Sequence, residues 1–170
     1  MSAQGRLEGK PSAHEREGRP VHRRPAAAAE LTLRLQVAAA ATGLPARATL
    51  RRWVQRALES DAEITLRFVG TAEGRRLNRL YRGRDYPTNV LTFVYRGPPQ
   101  VEADVVLCLA VLRREAREAG RSLRAHLAHL VTHGVLHAQG YAHERRRDAD
   151  RMERREAQLL ASLRIADPYR

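Results

Sequence analysis

Histidine spacing is the feature of this sequence that most directly indicates chemistry. Four of the seven histidines fall in one stretch with helical apolar spacing, and another follows it: His126, His129, His133, His137 and His143. His133 and His137 are four residues apart, so on a helix they lie on the same side and can reach one ion. His129 and His133 share that spacing, so the helix alone offers two equivalent pairs.

The segment after this helix selects between the two pairs. Gly140 can adopt the left-handed backbone that ends a helix, which would turn the chain so that His143 returns toward His133 and His137. The resulting motif is His-x-x-x-His-x-x-Gly-x-x-His. Three neutral imidazoles leave a fourth tetrahedral position for water, and zinc lowers the pKa of such a water to about 7. The motif therefore predicts one zinc ion per chain at a hydrolytic site.

The same spacing occurs in the zinc motif of metzincin peptidases, which carry a glutamate base after the first histidine. Gly134 occupies that position here, so peptide hydrolysis is disfavoured and is kept only as an alternative. His126 and His129 fall outside the motif. We expect them to pack beside the site or to hydrogen-bond its ligands, and a role for His129 in the site itself stays open.

Apolar periodicity predicts the elements that must position these histidines. Period-two alternation and buried apolar runs predict strands at 31–37, 64–69, 89–95 and from Asp104 to Leu109. The third has apolar residues on both faces and is expected to be central in its sheet. Helical spacing predicts helices near 50–58, from an N-cap at Thr71 to Gly83, near 111–119, at 123–139 with Ser122 as N-cap, and at 146–163. The predicted fold class is α+β, a mixed sheet of about four strands packed by helices.

Length and composition predict one folded domain. Residues 1–29 hold almost no large apolar side chains and are predicted to be a disordered tail, which leaves 30–170 as the domain. No apolar run reaches the ~18 residues of a membrane helix, and no secretory signal pattern is present, so we expect a cytoplasmic protein that does not bind membranes. Cys108 is the single cysteine and lies in an apolar run, so it is expected to be buried.

The chain is strongly basic, with a net charge of +12 and a pI of about 11.2. Such a balance favours polyanions, because each neutralised phosphate releases a counterion, and nucleic acid becomes a plausible partner. However, Lys10 is the only lysine among the 31 basic residues. This arginine excess also fits a genome-wide base-composition bias, so charge alone leaves RNA binding open.

Three segments, in this order along the chain, are similar to those of one known family. They are LNRLYRGRDYPTNVLTF at 77–93, Ala103-Asp104-Val105, and the histidine motif HGVLHAQGYAH at 133–143. All three resemble the YbeY family of bacterial endoribonucleases, which act in ribosomal RNA maturation. The similarity spans roughly residues 31 to 168 and does not include the tail.

The resemblance implies a zincin-like, metal-dependent hydrolase fold. It also implies that His133, His137 and His143 hold a zinc ion, with Arg82 as a functional arginine facing it. A guanidinium can bind a phosphate bidentately and stabilise charge as a phosphodiester is attacked. Arg82 is therefore the candidate catalytic residue, and the candidate RNA-binding residues are Arg82, Asp85, Asn89 and Asp104.

The function implied is that of an endoribonuclease specific for single-stranded RNA, with ribosomal RNA and the small ribosomal subunit as partners. Its expected roles are late small-subunit maturation, 16S rRNA 3′-end processing and ribosome quality control. No general base is evident, so attack by metal-activated water and by an RNA 2′-hydroxyl both remain open. The alternative is a non-catalytic assembly factor that binds rRNA and whose ion only holds the last helix. Such a structural site would be closed by a fourth protein ligand.

The chain departs from the family pattern at several positions near the site. The family has aspartate at Ala142, glycine at Ala103, leucines at Ala138 and Gln139, and proline at Val94. Loss of the acid at 142 removes a possible hydrogen-bond partner for a metal ligand. Glu144 is the residue we expect to replace it.

Overall fold

The computed structural model describes residues 28–38 and 42–169. Residues 1–27, which make up most of the tail predicted for 1–29, lie outside the described residues. The disordered tail and the domain boundary at residue 30 therefore stay predictions.

The described residues form strands and helices in an α+β arrangement, as the sequence predicts. In chain order they are β1 (Leu31–Val37), α1 (Arg47–Ala57), β2 (Asp61–Val69), α2 (Thr71–Arg82), β3 (Val90–Arg96), β4 (Gln100–Cys108), α3 (Leu109–Glu118), α4 (Leu123–Ala138) and α5 (Arg146–Ser162). No helix among these is both long enough and apolar enough to cross a membrane.

The four strands make one mixed sheet in the order β1-β2-β4-β3. β1 pairs with β2 and β2 with β4 in parallel, whereas β3 pairs with β4 antiparallel. The mixed four-stranded sheet confirms the predicted fold class. β3 and β4 are joined by the short turn Gly97-Pro98-Pro99.

The predicted position of β3 is wrong, because it is an edge strand and not a central one. Its apolar residues on both faces are explained by helices. α4 packs against one face of β3, and on the other face Tyr81 of α2 meets Phe93 with ring centroids 4.6 Å apart. Burial on both faces shows only that both are covered, and it does not require a neighbouring strand at each edge.

Two predicted boundary residues are also placed differently. Asp104 lies in the middle of β4 rather than at its start, and its carboxylate accepts a hydrogen bond from the Tyr95 hydroxyl at the exposed surface. Thr71 is the first residue of α2, with Gly70 as the N-cap and no side-chain capping bond. By contrast, the Ser122 hydroxyl accepts from the Ala125 amide, which confirms Ser122 as the N-cap of α4.

Helix α4 is the central helix of the fold. It contacts α1, α3 and α5 as well as β3 and β4, so most of its residues are buried on all sides. Gly134 allows its close approach to the sheet, since a Cβ atom there would lie 2.6 Å from Val105 Cγ1 and 3.2 Å from Thr92 Oγ1. The helix that carries the histidines is thereby fixed against the two strands at this side of the sheet. Cys108 is buried on the opposite face, as predicted.

Candidate metal centre

The structure brings His133, His137 and His143 together. One ring nitrogen of each lies within 4.8 Å of the other two. The ring centroids of His133 and His137 are 4.6 Å apart, and those of His137 and His143 are 4.7 Å apart. Among the described residues this cluster contains no carboxylate or thiol, so its donors are three imidazoles.

The turn after α4 places His143 beside the two helical histidines. Gly140 has φ +91°, a left-handed conformation that costs glycine little. The amide of Gly140 donates to the His137 carbonyl and the amide of Tyr141 donates to the Leu136 carbonyl. These two bonds form a Schellman motif, which ends the helix and reverses the chain. The role predicted for Gly140 is therefore confirmed.

Side chains beside the turn anchor it to the rest of the domain. The Gln139 amide group donates to the Ala57 carbonyl, and its oxygen accepts from the Glu59 backbone amide. The Tyr141 hydroxyl and the Arg155 guanidinium both donate to the Glu59 carboxylate. Gln139, one of the departures from the family pattern, thus has a structural role in holding the end of α4.

His137 is kept neutral at neutral pH. Burial, followed by the neighbouring His133 and His143 rings, lowers its pKa to about 4, against a smaller opposing effect of a hydrogen bond with the Tyr141 backbone. Its Nε2 lies 2.8 Å from His143 Nδ1. A neutral imidazole is the form that binds a metal ion, so the environment of His137 favours ligation.

Glu156 of α5 lies behind His133 and was not predicted from the sequence. Its side chain is 0% exposed, and Oε1 lies 2.7 Å from His133 Nδ1. Oε2 accepts from His129 Nε2 and from the Tyr169 hydroxyl. Burial raises the pKa of this carboxyl, but hydrogen bonds from His129 and His133 outweigh it and lower the pKa to about 2. Glu156 is therefore ionised.

A sequence signal for Glu156 does exist. It lies four residues after Met152 and three before Leu159, within the apolar stripe of α5. An acidic residue at a core position of an amphipathic helix needs a buried partner, and the histidines of α4 are the partners available. By contrast, His126, which also lies on α4 outside the motif, pairs with Glu115 and does not reach the cluster.

The three nitrogens suit a zinc-like ion. Zinc–nitrogen bonds of about 2.0–2.1 Å at tetrahedral angles separate the ligand nitrogens by about 3.3 Å, which lies within the spread of the cluster. The His137 and His143 nitrogens, at 2.8 Å, would have to move apart by about 0.5 Å. Three imidazoles are a donor set that leaves one tetrahedral position open, as catalytic zinc sites do.

The cluster lies in a cavity of about 580 Å³ between the end of α4 and the edge strand β3. Its lining residues are Arg82, Asn89, Val90, Thr92, Val94, His133, His137, His143 and Glu144. Arg82, at the last position of α2, forms no ion pair with any residue in the described ranges. Its guanidinium is therefore available to an anion. Glu144 is the carboxylate of the lining, and Ala142 does not contribute to it.

The four candidate RNA-binding residues are not all placed together. Arg82 and Asn89 line the cavity, whereas Asp85 and Asp104 do not. Asp85 pairs with Arg75 at 2.6 Å on the surface, and the hydrogen bond from Arg75 lowers the pKa of the Asp85 carboxyl. Asn89 is held by Glu115 and by its own bond from the Val90 amide.

Comparison with known proteins identifies the family. The family model described as endoribonuclease YbeY matches residues 38–164. The chain belongs to the YbeY endoribonuclease family. It is 54% identical to endoribonuclease YbeY of Verminephrobacter eiseniae over 80% of this chain and 88% of that protein. It is 53% identical to the Thiobacillus denitrificans YbeY over 84% of this chain and 98% of the relative.

A solved structure is similar in fold. The solution structure of a Thermotoga maritima protein superposes with a TM-score of 0.50 at 23% identity, covering 82% of this chain and 99% of that one. At this identity the likeness concerns the fold alone. It agrees with the α+β arrangement described above.

Proposed function

We propose that this protein is a metal-dependent endoribonuclease that uses one zinc ion, held by His133, His137 and His143, to cleave single-stranded RNA. The observation that supports this most is the convergence of three imidazoles in a cavity that also contains Arg82. The YbeY relatives named as endoribonucleases supply the substrate class. In this proposal zinc serves as a Lewis acid that lowers the pKa of a bound water.

The residues around the ion have separate roles. Arg82 binds a phosphate of the RNA backbone and stabilises the charge that develops at phosphorus, since its guanidinium has no ion-pair partner in the described part of the chain. The Thr92 and Val94 side chains of β3 form the wall opposite α4 and limit the width of the cavity. Asn89 lines the cavity, where Glu115 and the Val90 amide hold its side chain in place.

The physiological substrate follows from the family. We propose ribosomal RNA of the small subunit as the substrate, with processing of the 16S rRNA 3′ end, late small-subunit maturation and ribosome quality control as the roles. The cytoplasm, where ribosomes are assembled, is the proposed location. The net charge of +12 supports binding to a polyanion of this kind.

The non-catalytic alternative is less well supported by the site. An ion that only holds α5 to the domain would be expected to have four protein ligands, whereas the histidine cluster offers three. The peptidase alternative lacks its general base, since Gly134 is where that glutamate would be. Gly134 also has a packing role against Val105, which a side chain would disturb.

The test compares zinc content and cleavage of a single-stranded RNA for wild type, His133→Ala and Arg82→Ala. We expect His133→Ala to lose both zinc and cleavage. Arg82→Ala should keep its zinc and lose most of its cleavage, about 10²-fold or more, as for removal of a group that stabilises the transition state. Arg52→Ala, on α1 and outside the cavity lining, is the matched arginine control. Wild-type cleavage by His133→Ala would refute the proposal.

Analysis of the product ends separates the two chemical routes. Attack by water leaves ends with a free phosphate, whereas attack by the 2′-hydroxyl leaves a cyclic phosphate. An RNA with a 2′-deoxy nucleotide at the cleaved position gives the same answer independently. Cleavage that survives the deoxy substitution requires water as the nucleophile.

A further inference from the structure

The buried carboxylate of Glu156 receives three hydrogen bonds from two different parts of the chain. His133 Nδ1 lies 2.7 Å from Oε1, and His129 Nε2 lies 3.1 Å from Oε2. The Tyr169 hydroxyl also donates to Oε2. The two histidines belong to α4, Glu156 to α5, and Tyr169 to the segment that follows α5. This four-residue set is called the Glu156 network below.

The chemistry of a carboxylate fixes the state of His133. Two imidazoles and a phenol surround the Glu156 carboxylate, which is the acceptor common to all three, so Nδ1 of His133 must carry the proton that it donates. A neutral imidazole has one N–H, which leaves Nε2 of His133 with its lone pair. Nδ1 is directed at Glu156, so Nε2 is the nitrogen on the opposite edge of the ring, available to the cavity that His133 lines.

Packing alone does not explain a glutamate at this position. The side chain is 0% exposed and lies in the apolar stripe of α5 near Met152 and Leu159, where an apolar residue would avoid the cost of burying a charge. Glu115 of α3 offers a comparison. It pairs with His126 of α4 at 2.8 Å, but its side chain is 29% exposed. Of these two carboxylates, only that of Glu156 touches a histidine of the cluster.

The segment after α5 folds back to complete the network. Arg164 adopts a left-handed conformation, with φ 59°, just after the end of α5. The Arg121 guanidinium then donates to the Pro168 carbonyl, and the Tyr169 amide donates to the Asp167 carboxylate. These contacts bring the Tyr169 ring to His129, with centroids 5.6 Å apart, and its hydroxyl to Glu156.

We infer that Glu156 is a positioning residue for the metal centre, and that Tyr169 orients Glu156 from the C-terminal segment. Glu156 fixes the tautomer and the ring orientation of His133, so that Nε2 is presented to the ion. Tyr169 and His129 occupy the second carboxylate oxygen and hold the carboxylate in place. The inference rests on the proposed zinc site. In it, the geometry of that site depends on α5 and on the C-terminal segment that carries Tyr169.

Zinc affinity is the first readout, measured by competition with a chromogenic chelator on full-length protein. Glu156→Gln is expected to weaken zinc binding by about 10–100-fold, as loss of such a partner does at other metal sites. Tyr169→Phe should weaken it by a smaller factor, because Glu156 keeps two of its three donors. Glu115→Gln, which alters the equivalent pair with His126, is the matched control and should bind zinc as wild type does.

Nitrogen-15 NMR of the histidines in zinc-free wild-type protein is the second readout, and it depends neither on zinc nor on RNA cleavage. We expect His133 to carry its proton on Nδ1. A His133 protonated on Nε2 would overturn the inference, as would wild-type zinc affinity in a folded Glu156→Gln protein. If Glu156→Gln does not fold, the NMR result and Tyr169→Phe decide. A protein that shows the Nδ1 tautomer but cleaves no RNA would leave this inference standing while the proposed function fails.

Discussion

The imidazole rings of His133 and His137 are each restrained by a contact with another side chain. His133 Nδ1 lies 2.7 Å from the buried carboxylate of Glu156, whereas His137 Nε2 lies 2.8 Å from His143 Nδ1. In the proposed metal site, His133 is thus preorganised by the protein, whereas His143 is positioned by the turn at Gly140. Preorganisation of this kind reduces the reorganisation needed when an ion binds.

The lowered pKa of His137 leads to a prediction about acid stability. The unfolded chain binds a proton at this histidine near pH 6.5, whereas the folded protein does so only near pH 4. Between these values the unfolded state binds more protons, so lowering the pH from 6.5 toward 4 reduces the free energy of unfolding. Replacing His137 with glutamine should remove this part of the pH dependence.

The measurement is urea unfolding of zinc-free protein at several pH values from 7 to about 4.5, for wild type and His137→Gln. The wild-type curve should fall more steeply with decreasing pH than that of the variant. Parallel curves would show that the folded protein protonates His137 as readily as the unfolded chain does.

At the scale of the elements, the sequence predicts most of what positions the site. The spacing of His133 and His137, with Gly140 and His143 after them, is local information, and local geometry determines how those residues meet. Glu156 could not be placed in the same way, because its contact with His133 joins α5 to α4 and depends on how two helices pack. Its position in an apolar stripe is a signal only once a buried partner is known.

The errors in the predicted sheet also arise from long-range contacts, which the local sequence does not reveal. Apolar residues on both faces of β3 were taken as typical of a central strand, but α2 and α4 cover those faces at the sheet edge. Asp104 was expected to begin a strand because it precedes an apolar run, and the register instead places it opposite Phe93 in mid-strand. Strand order and register depend on long-range pairing, which a single sequence does not contain.

Gly134 gives a prediction at the contact between α4 and the sheet. An added Cβ would lie 2.6 Å from Cγ1 of Val105, a buried and stiff side chain, so α4 would have to move. Overpacking of this kind costs about 1–3 kcal/mol, against about 1 kcal/mol that alanine gains over glycine in a helix. A separation of 2.6 Å is a severe overlap, which places the cost near about 3 kcal/mol, so after the gain of about 1 kcal/mol Gly134→Ala should lower the free energy of unfolding by about 2 kcal/mol.

Urea unfolding of zinc-free Gly134→Ala and wild type measures this difference. Gly97→Ala is the control, since Gly97 lies in the β3–β4 turn and an added Cβ would meet nothing within 4 Å. A Gly134→Ala protein as stable as wild type would mean that the close approach of α4 to β4 is not required.

At the scale of the whole molecule, the site lies at one edge of the sheet and the rest of the fold supports it. α1 and β2 contribute through the Glu59 region, which anchors the turn after α4, and α5 contributes Glu156. Residues near both ends of the histidine motif are therefore connected to distant parts of the chain. The overall charge of +12 attracts RNA without selecting a sequence, so cleavage specificity must come from the cavity.

Zinc titration of the metal-depleted protein, with cleavage of a single-stranded RNA followed at each addition, tests the central claim most directly. We predict no cleavage without zinc, a linear rise, and a plateau at one zinc ion per chain, with His137→Ala inactive throughout. Full cleavage by the metal-depleted wild type, or a wild-type plateau for His137→Ala, would contradict the assignment of the three histidines as the metal site of this enzyme.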